Sequence, residues 1–384
     1  MQDYIINTFY TVKNIDHNYW SDLQCTNNVY FSPEFLWAYE KSNPDVTFRY
    51  IVVTNNKNKA ISLANIQIIK IGIDTILKNI KITKGLKKTI DFFLCKNELR
   101  IMFCGNVFLS GEHGIFIKDG LNKQKIFESL VKGVRALIKQ TSPLDAIFVK
   151  DFYQESRSIM DDLIDYGYSA MPVEPNMILT LDPAWKCYND YKSALKSKYR
   201  IKVNKADKTS INLTSKRFTE SDFSKYKIQL QQLYQNTIDN ADFNAQILNL
   251  DTYIELRRIF KENFIVVAYF KEDQLVGFLS ALKTNNHLDA HFIGLDYKLN
   301  KPYAIYPRIL NDYIRIGIDY QVSQINFGRT ASEIKSTIGA HPEQLMCYIR
   351  HKNRAINGLL KPFFGMVKIK DFKKHKAFKT KKEA

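Results

Sequence analysis

The sequence predicts a mixed α/β protein made of two consecutive units, and three observations carry that expectation. Apolar, β-branched runs alternate with amphipathic stretches along all 384 residues, the pattern of sheets flanked by helices. One order of elements (hairpin, strand, helix, strand, helix) occurs twice, without residue identity between the copies. The length exceeds one average domain, and 45% hydrophobic against 25% charged residues suffices for a substantial core. The units are expected over residues 1–175 and 176–360, with a basic tail over 361–384.

In the first unit, FRYIVVTNNKNKAISLANIQIIKI (48–71) holds two strand-like runs around a polar turn, a hairpin signal. LRIMFCGNVFLSGEHGIFI (99–117) gives two further runs broken by Gly105, Gly111 and Gly114. That glycine spacing fits neither a P-loop nor a dinucleotide fingerprint, so it reads as bulges and turns. KQKIFESLVKGVRALIKQ (123–140) sets Phe127, Leu130, Val131, Val134, Leu137 and Ile138 at helical spacing. DAIFVK is a strand, and a short helix from Ser156 to Tyr166 closes the unit. The boundary falls over MPVEPNMILTLD (171–182), where two prolines interrupt helical pattern before a strand begins.

The second unit opens with a basic helix, SALKSKYRIKVNKADK (193–208), and a strand, SINLTSKRF. A long helix follows from a capping box, Thr219 with Asp222 three residues on. NFIVVAYF and LVGFLSALKT form a hairpin about KEDQ, and HLDAHFIGLDY (287–297) is the next strand. Then come a helix, AIYPRILNDYIRIGIDY, a strand, QINFG, a short helix, ASEIKSTIG, and a last strand, LMCYIRH. VKIKDFKKHKAFKTKKEA (367–384) lacks apolar periodicity and reads as a frayed basic tail.

Charge is placed unevenly. Residues 1–175 hold 21 Lys and Arg against 19 Asp and Glu, and residues 176–384 hold 35 against 20. The formal +17 therefore resides almost wholly in the second half, on the basic helix and the tail. Five dispersed cysteines give no disulfide framework and no zinc-site spacing, which fits a reducing cytoplasm, and no metal is expected. The N-terminus lacks the basic and apolar regions of a signal peptide, and no run reaches about 18 apolar residues, so secretion and a membrane span are not expected.

Three stretches resemble a known family: YKSALKSKYRIKVNKADK, HFIGLDYKLNKPYAIYPRILNDYIRIGID and FGRTASEIKSTIGA. With the element order, they are similar to the Fem-like, tandem branch of the GNAT acyltransferases, including bacterial proteins that act in cell-envelope synthesis. The resemblance implies two curved mixed sheets flanked by helices, and transfer of an acyl group to an amine. It implies acyl-CoA or acyl carrier protein as co-substrate, with no tightly bound cofactor. It implies chemistry in the second unit, the first being degenerate or supporting. One departure is plain: GNAT enzymes carry a Gly-rich turn after the fourth strand, where backbone N–H groups cradle pyrophosphate. Here the junction is LDYKLNKPYAIYPR, without glycine.

Transfer to an amine needs a proton acceptor and stabilisation of an oxyanion. His291 interrupts an apolar strand, and an imidazole of ordinary pKa, about 6.5, suits the acceptor role; the alternative is a strand histidine without chemistry. Glu333 is the candidate to orient His291 or bind the acceptor amine, and Tyr306 the candidate proton donor to the leaving group. Arg308, Arg329, Thr330 and Lys335 are candidates for holding the donor or another anion; a capped, solvated helix is the alternative reading of 329–335. Lys196, Lys198, Arg200 and Lys202 would dock an anionic carrier or an anionic membrane surface. A lysine-rich tail would add a weak, salt-sensitive membrane attachment. The alternatives are an aminoacyl-tRNA donor with a peptidoglycan-precursor acceptor, and a non-enzymatic basic binding module.

Overall fold

A computed structural model describes residues 4–25, 28–72, 98–241, 244–364, 369 and 371–379. The chain forms two compact units: Met1–Val173 with Asp242–Leu248 and Gln344–Ile369, and Glu174–Ala241 with Asn249–Glu343 and Lys370–Ala384. Neither unit is contiguous in sequence.

The first unit contains β1 (Ile5–Phe9), α1 (His17–Leu23), α2 (Pro33–Ser42), β2 (Thr47–Thr54), β3 (Ala60–Gly72), β4 (Glu98–Cys104) and β5 (Ile115–Ile117). After them come α3 (Lys123–Gln140), β6 (Ala146–Phe152) and α4 (Arg157–Met160). The expected hairpin is β2–β3, paired from Thr47↔Ile68 to Thr54↔Ala60. β4 and β6 run parallel over Ile101↔Ala146 to Cys104↔Val149, and α3 is the crossover between them. α3 starts where Asn122 Oδ1 accepts from Lys125 N at 3.1 Å. Its Ile126, Phe127, Leu130, Val131, Val134 and Leu137 are buried against the sheet, the expected face plus one turn. The glycine-broken run yields two strands, β4 and β5, as read, and Gly105 and Gly111 hold positive φ in the loop between them. The short helix expected over 156–166 is broken into single turns, α4 flanked by 3-10 turns.

β7 (Ser169–Thr180) runs straight through Pro172 and Pro175, which the sequence reading takes as a break. A strand admits proline where no ladder N–H is required, and Ile178–Thr180 then pair antiparallel with β12 in the second unit. That unit continues with α5 (Tyr188–Ala194), α6 (Ser197–Thr209), β8 (Thr214–Arg217), α7 (Glu220–Asp239) and α8 (Asp251–Phe260). Next are β9 (Phe264–Lys271), β10 (Gln274–Thr284), β11 (His287–Leu295), α9 (Tyr297–Tyr303), α10 (Ile305–Asp319), β12 (Gln324–Asn326) and α11 (Ser332–Thr337). The sheet order is β7-β12-β11-β10-β9-β8. The capping box forms as read, Thr219 N donating to Asp222 Oδ2 at 2.9 Å. The basic helix is two helices, parted at Leu195, whose extended backbone and complete burial send its side chain into the core. α10 lies on the sheet through Ile305, Ile309, Tyr313, Ile314 and Ile318.

β13 (His341–His351) completes the first unit, pairing antiparallel with β6 from Met346↔Phe152 to His351↔Ala146, and α12 (Arg354–Phe364) follows it. Each unit has its own buried apolar cluster.

The tail corrects an expectation. Residues 371–379 are not frayed: Ala377 is buried, and Phe372 and Phe378 pack on the second unit's core. Lys196 N donates to Ala377 O at 2.9 Å and Lys379 N to Ala194 O at 3.0 Å. Two aromatic rings and an alanine among the lysines supply the anchor that periodicity did not reveal.

Candidate active site

The site is built on the second sheet, where a bulge and a parting of strands coincide. β10 and β11 pair Leu279↔Ile293 and Ala281↔Ala290, so Ser280 alone faces His291 and Phe292. The Ser280 hydroxyl closes the ladder there, accepting from Phe292 N at 2.9 Å and donating to Phe292 O at 2.7 Å. Two tyrosines hold it: the Tyr253 hydroxyl lies 2.7 Å from Ser280 Oγ, and the Tyr313 hydroxyl donates to Ser280 O at 2.9 Å. The bulge therefore rests on side-chain hydroxyls, and it fixes the backbone that carries His291.

On its other edge β11 pairs parallel with β12 for only three residues, His287↔Gln324, Leu288↔Ile325 and Asp289↔Asn326. β11 then continues to Leu295, while the chain after Asn326 turns into a loop. His291 lies two residues past the last pair. It is half-buried beside the Phe264 and Phe292 rings, and burial pushes its imidazole down to about 3. That corrects the expected near-neutral titration: desolvation holds the ring neutral at physiological pH.

The loop after β12 carries the candidates Arg329 and Thr330, and α11 after it carries Glu333 and Lys335. Gly328, Thr330 and Ala331 have φ of 67°, 62° and 48°. The left-handed region is strained for a β-branched threonine. Lys335 holds this turn: its Nζ donates to the carbonyls of Phe327, Arg329 and Gly328 at 2.8, 2.6 and 3.3 Å. An ammonium has three donors, and all are spent. Lys335 is 5% exposed, and burial lowers it to about 7, opposed by the Glu174 charge. It is thus a staple of the turn, a correction to its expected role as an anion holder. Thr330 is exposed and Arg329 partly so, both on the stapled turn beside the strand opening.

The other edge of the opening is the β11–α10 junction. In place of a glycine turn stands α9, capped by Asp296, whose Oδ1 accepts from Lys298 N at 2.9 Å and Leu299 N at 3.2 Å. Ala304, at φ 48°, then reverses the chain into α10. In the first turn of α10, Tyr306 N donates to Asn300 Oδ1 at 2.9 Å, Pro307 has no N–H, and Arg308 N bonds Ala304 O. Of the donors that would cradle a pyrophosphate, those of Tyr306 and Arg308 are occupied and that of Pro307 is missing. Tyr306 packs against the core, and burial raises its phenol well above the ordinary range, so it keeps its proton.

Arg308 and Glu333 each have another partner in the structure. Arg308 Nε lies 2.8 Å from Asp312 Oδ2, with Nη1 3.4 Å from Ser210 Oγ. Tyr269 donates to the same carboxylate at 2.8 Å, and Arg315 bridges Asp312 and Asp207. This network ties α10 to α6, and Arg308 serves it rather than an anion. Glu333 is exposed, and its Oε1 lies 3.4 Å from His375 Nε2, whose Nδ1 is 3.2 Å from the Tyr199 hydroxyl. Its partner is thus the C-terminal segment, not His291. Lys198 and Lys202 are exposed on α6, Lys196 caps it, and Arg200 is half-buried near Ser197. Sequence reasoning missed Ser280, Tyr253 and Tyr313; a hydroxyl inside the apolar run LVGFLSALKT was the available signal.

Among the described residues no group of three or more His, Cys, Asp or Glu could hold a metal ion, and no helix is long and apolar enough to cross a membrane. A shallow cavity of about 240 Å³, lined by Leu181, Trp185 and Ile318 among others, lies at the C-terminal end of α10. His291 and Tyr306 do not line it.

No protein-family model matches the sequence, and no curated protein matches it. Solved structures do. A tandem GNAT protein from the clavulanic acid biosynthesis pathway superposes with a TM-score of 0.56 at 8% identity, covering 91% of this chain and 99% of that one. FemX superposes with a TM-score of 0.53 at 11% identity, covering 85% and 93%. The fold is a Fem-like tandem GNAT fold. Within it, the second GNAT unit bears the bulged strand with His291, and a short helix fills the place of that fold's glycine turn. Identities this low establish the architecture and no more.

Proposed function

We propose that the protein is an N-acyltransferase, moving an acyl group from a thioester donor, acyl-CoA or acyl carrier protein, to the amine of a lipid or cell-envelope precursor. The observation that carries this reading is the neutral His291, held on a bulged strand two residues past the point where β11 and β12 part. Parted parallel strands leave backbone N–H and C=O groups that a pantetheine arm, with its two amides, can pair. The likeness to FemX and to a tandem GNAT supports the reading at the level of fold.

The amine attacks the thioester carbonyl, the C–N bond forms, and a zwitterionic tetrahedral adduct results. An imidazole pushed down to about 3 is too weak a base to strip a resting ammonium. His291 therefore acts later, taking a proton from the more acidic nitrogen of the adduct. The C–S bond then breaks, and the proton taken by His291 reaches the departing thiolate by way of Tyr306, whose phenol donates to the sulfur and is left protonated; the products are an amide and a free thiol. Arg329 and Thr330, on the stapled turn, face the donor's anionic groups or the developing oxyanion, and Glu333 binds the acceptor amine at the rim. Lys196, Lys198, Arg200 and Lys202 belong to the docking surface for an anionic carrier or membrane. The first unit supports the second.

Thiol release from acyl-CoA or acyl carrier protein in the presence of candidate amines tests this reading. His291→Ala should lower kcat by about 10²–10⁴-fold. The wild-type rate should climb with pH toward the pKa of the amine, without an inflection near 6.5. No turnover with any amine, or full activity in the variant, overturns it. The filled first turn of α10 favours a second reading, in which the donor is an aminoacyl-tRNA and the acceptor a peptidoglycan precursor. Steeply salt-dependent tRNA binding would select it. A non-enzymatic binding module is what remains if neither donor is consumed.

A further inference from the structure

The two lysine-rich segments, α6 and residues 371–379, lie side by side in the second unit although more than 160 residues separate them in sequence. The C-terminal segment is strapped to the start of α6 by the Lys196 N to Ala377 O bond, the Leu195↔Phe378 bridge and the Tyr199–His375 contact. The strap turns Phe372, Ala377 and Phe378 inward and leaves Lys373, Lys374, Lys376 and Lys379 exposed. On α6 the buried positions are Tyr199, Val203 and Ala206. Lys198, Lys202, Lys205 and Lys208 then fall within about a third of the helix circumference on the exposed side, at 100° per residue. Of the nearby carboxylates, Asp207 is paired with Arg315 and Asn311, and Glu333 is exposed 3.4 Å from His375. Asp371 is an exposed acid at the beginning of the strap.

Amid these lysines stand two isoleucines in water, Ile201 at 65% and Ile211 at 75% exposure. Ile201 shares the lysine stripe, and Ile211 follows the end of the helix. Exposed aliphatic side chains among cations match an interface of anionic headgroups over acyl chains. A single-stranded nucleic acid would call instead for aromatic rings on which bases stack, and the one aromatic residue of α6, Tyr199, is buried.

We infer that this combined face of α6 and the C-terminal strap is a docking surface for an anionic lipid bilayer, with Ile201 and Ile211 inserting between headgroups. The inference deepens the envelope-precursor reading by naming where such a substrate would be met, and it rests on that reading only for its purpose. Vesicle binding needs no turnover, so the two fail separately.

The experiment is co-sedimentation of the full chain with phosphatidylcholine vesicles, with and without a third of the lipid as phosphatidylglycerol. Binding should require the anionic lipid and fall steeply between about 0.05 and 0.3 M salt. Each lysine near such a surface raises partitioning about fivefold, so replacing Lys198, Lys202, Lys205 and Lys208 by Gln should lower it several hundredfold, to the order of 10²–10³. Replacing Lys373, Lys374, Lys376 and Lys379 should act comparably. Ile201→Ser with Ile211→Ser should lower partitioning about tenfold at unchanged charge. All these positions are exposed, and circular dichroism checks that each variant is folded. Equal binding to neutral vesicles, or no loss in either lysine variant, overturns the inference. So does unchanged binding of the isoleucine variant, or a surface whose lysine variants lose only tRNA or acyl carrier protein.

Discussion

If the bulge carrying His291 is held by hydroxyls, Ser280→Ala should damage it more than the loss of one oxygen from a strand ordinarily would. Ser280 is completely buried. Its Oγ bonds both Phe292 N and Phe292 O and also meets the Tyr253 hydroxyl, so truncation takes one hydrogen bond from each of three polar groups. A buried group left unsatisfied costs about 1–3 kcal/mol. The expected loss is about 3 kcal/mol, at the lower end because the strand can relax. Tyr253→Phe removes the hydroxyl contact with Ser280, for about 1 kcal/mol. The double variant should then be less destabilised than the sum of the singles, by about 1 kcal/mol of coupling. Urea unfolding of the second unit, reported by Trp185 in a background lacking Trp20 and Trp37, measures the three values. Hydrogen exchange of residues 287–295 should accelerate in Ser280→Ala and much less elsewhere. A loss under about 0.5 kcal/mol with strict additivity would refute the argument, since the ladder would then be closed by backbone alone.

Two further outcomes follow from packing and from charge burial. A Cβ at Gly317 would stand 2.7 Å from Ile325 Cδ1 and 3.0 Å from Leu181 Cδ1, so Gly317→Ala should destabilise the second unit by about 1–3 kcal/mol in calorimetry. A gain in stability would show that α10 can move off its sheet. Lys335 has a folded pKa of about 7 against about 10.4 unfolded, so the unfolded chain holds more protons between those values. Stability should therefore rise with pH across that window. Lys335→Met should abolish that rise and speed exchange of the 327–331 amides; a slope that persists in the variant sinks the assignment.

Local patterns in this chain were readable where the signal and its cause were both local. The hairpin β9–β10, the helix α3 and the Thr219 capping box each depend on neighbours within a few residues, and each forms as read. His291 was legible as a polar interruption, but its low pKa was not, because burial is set by Phe264 and other residues distant in sequence. The partner of Arg308 went unread although Asp312 stands four residues on, a spacing that places both on one helix face. Lys335 illustrates the harder case: nothing in SEIKST announces that its ammonium will be consumed by carbonyls six to eight residues upstream. α9 was hidden because Pro302 in YKLNKPY argues against a helix that Asp296 nonetheless starts.

The late arrival of β13 bears on biogenesis. Strand β6, whose AIFVKDF is buried at six of seven positions, borders β4 on one side and receives its other neighbour from residues 346–351. On the ribosome, the first unit must therefore wait for residues 346–351 before its sheet can close. During that interval an apolar strand edge stands open, a template for pairing with other nascent chains. A gene fragment ending near residue 175 would encode a permanently unclosed sheet, and this protein's birth is thus all or nothing.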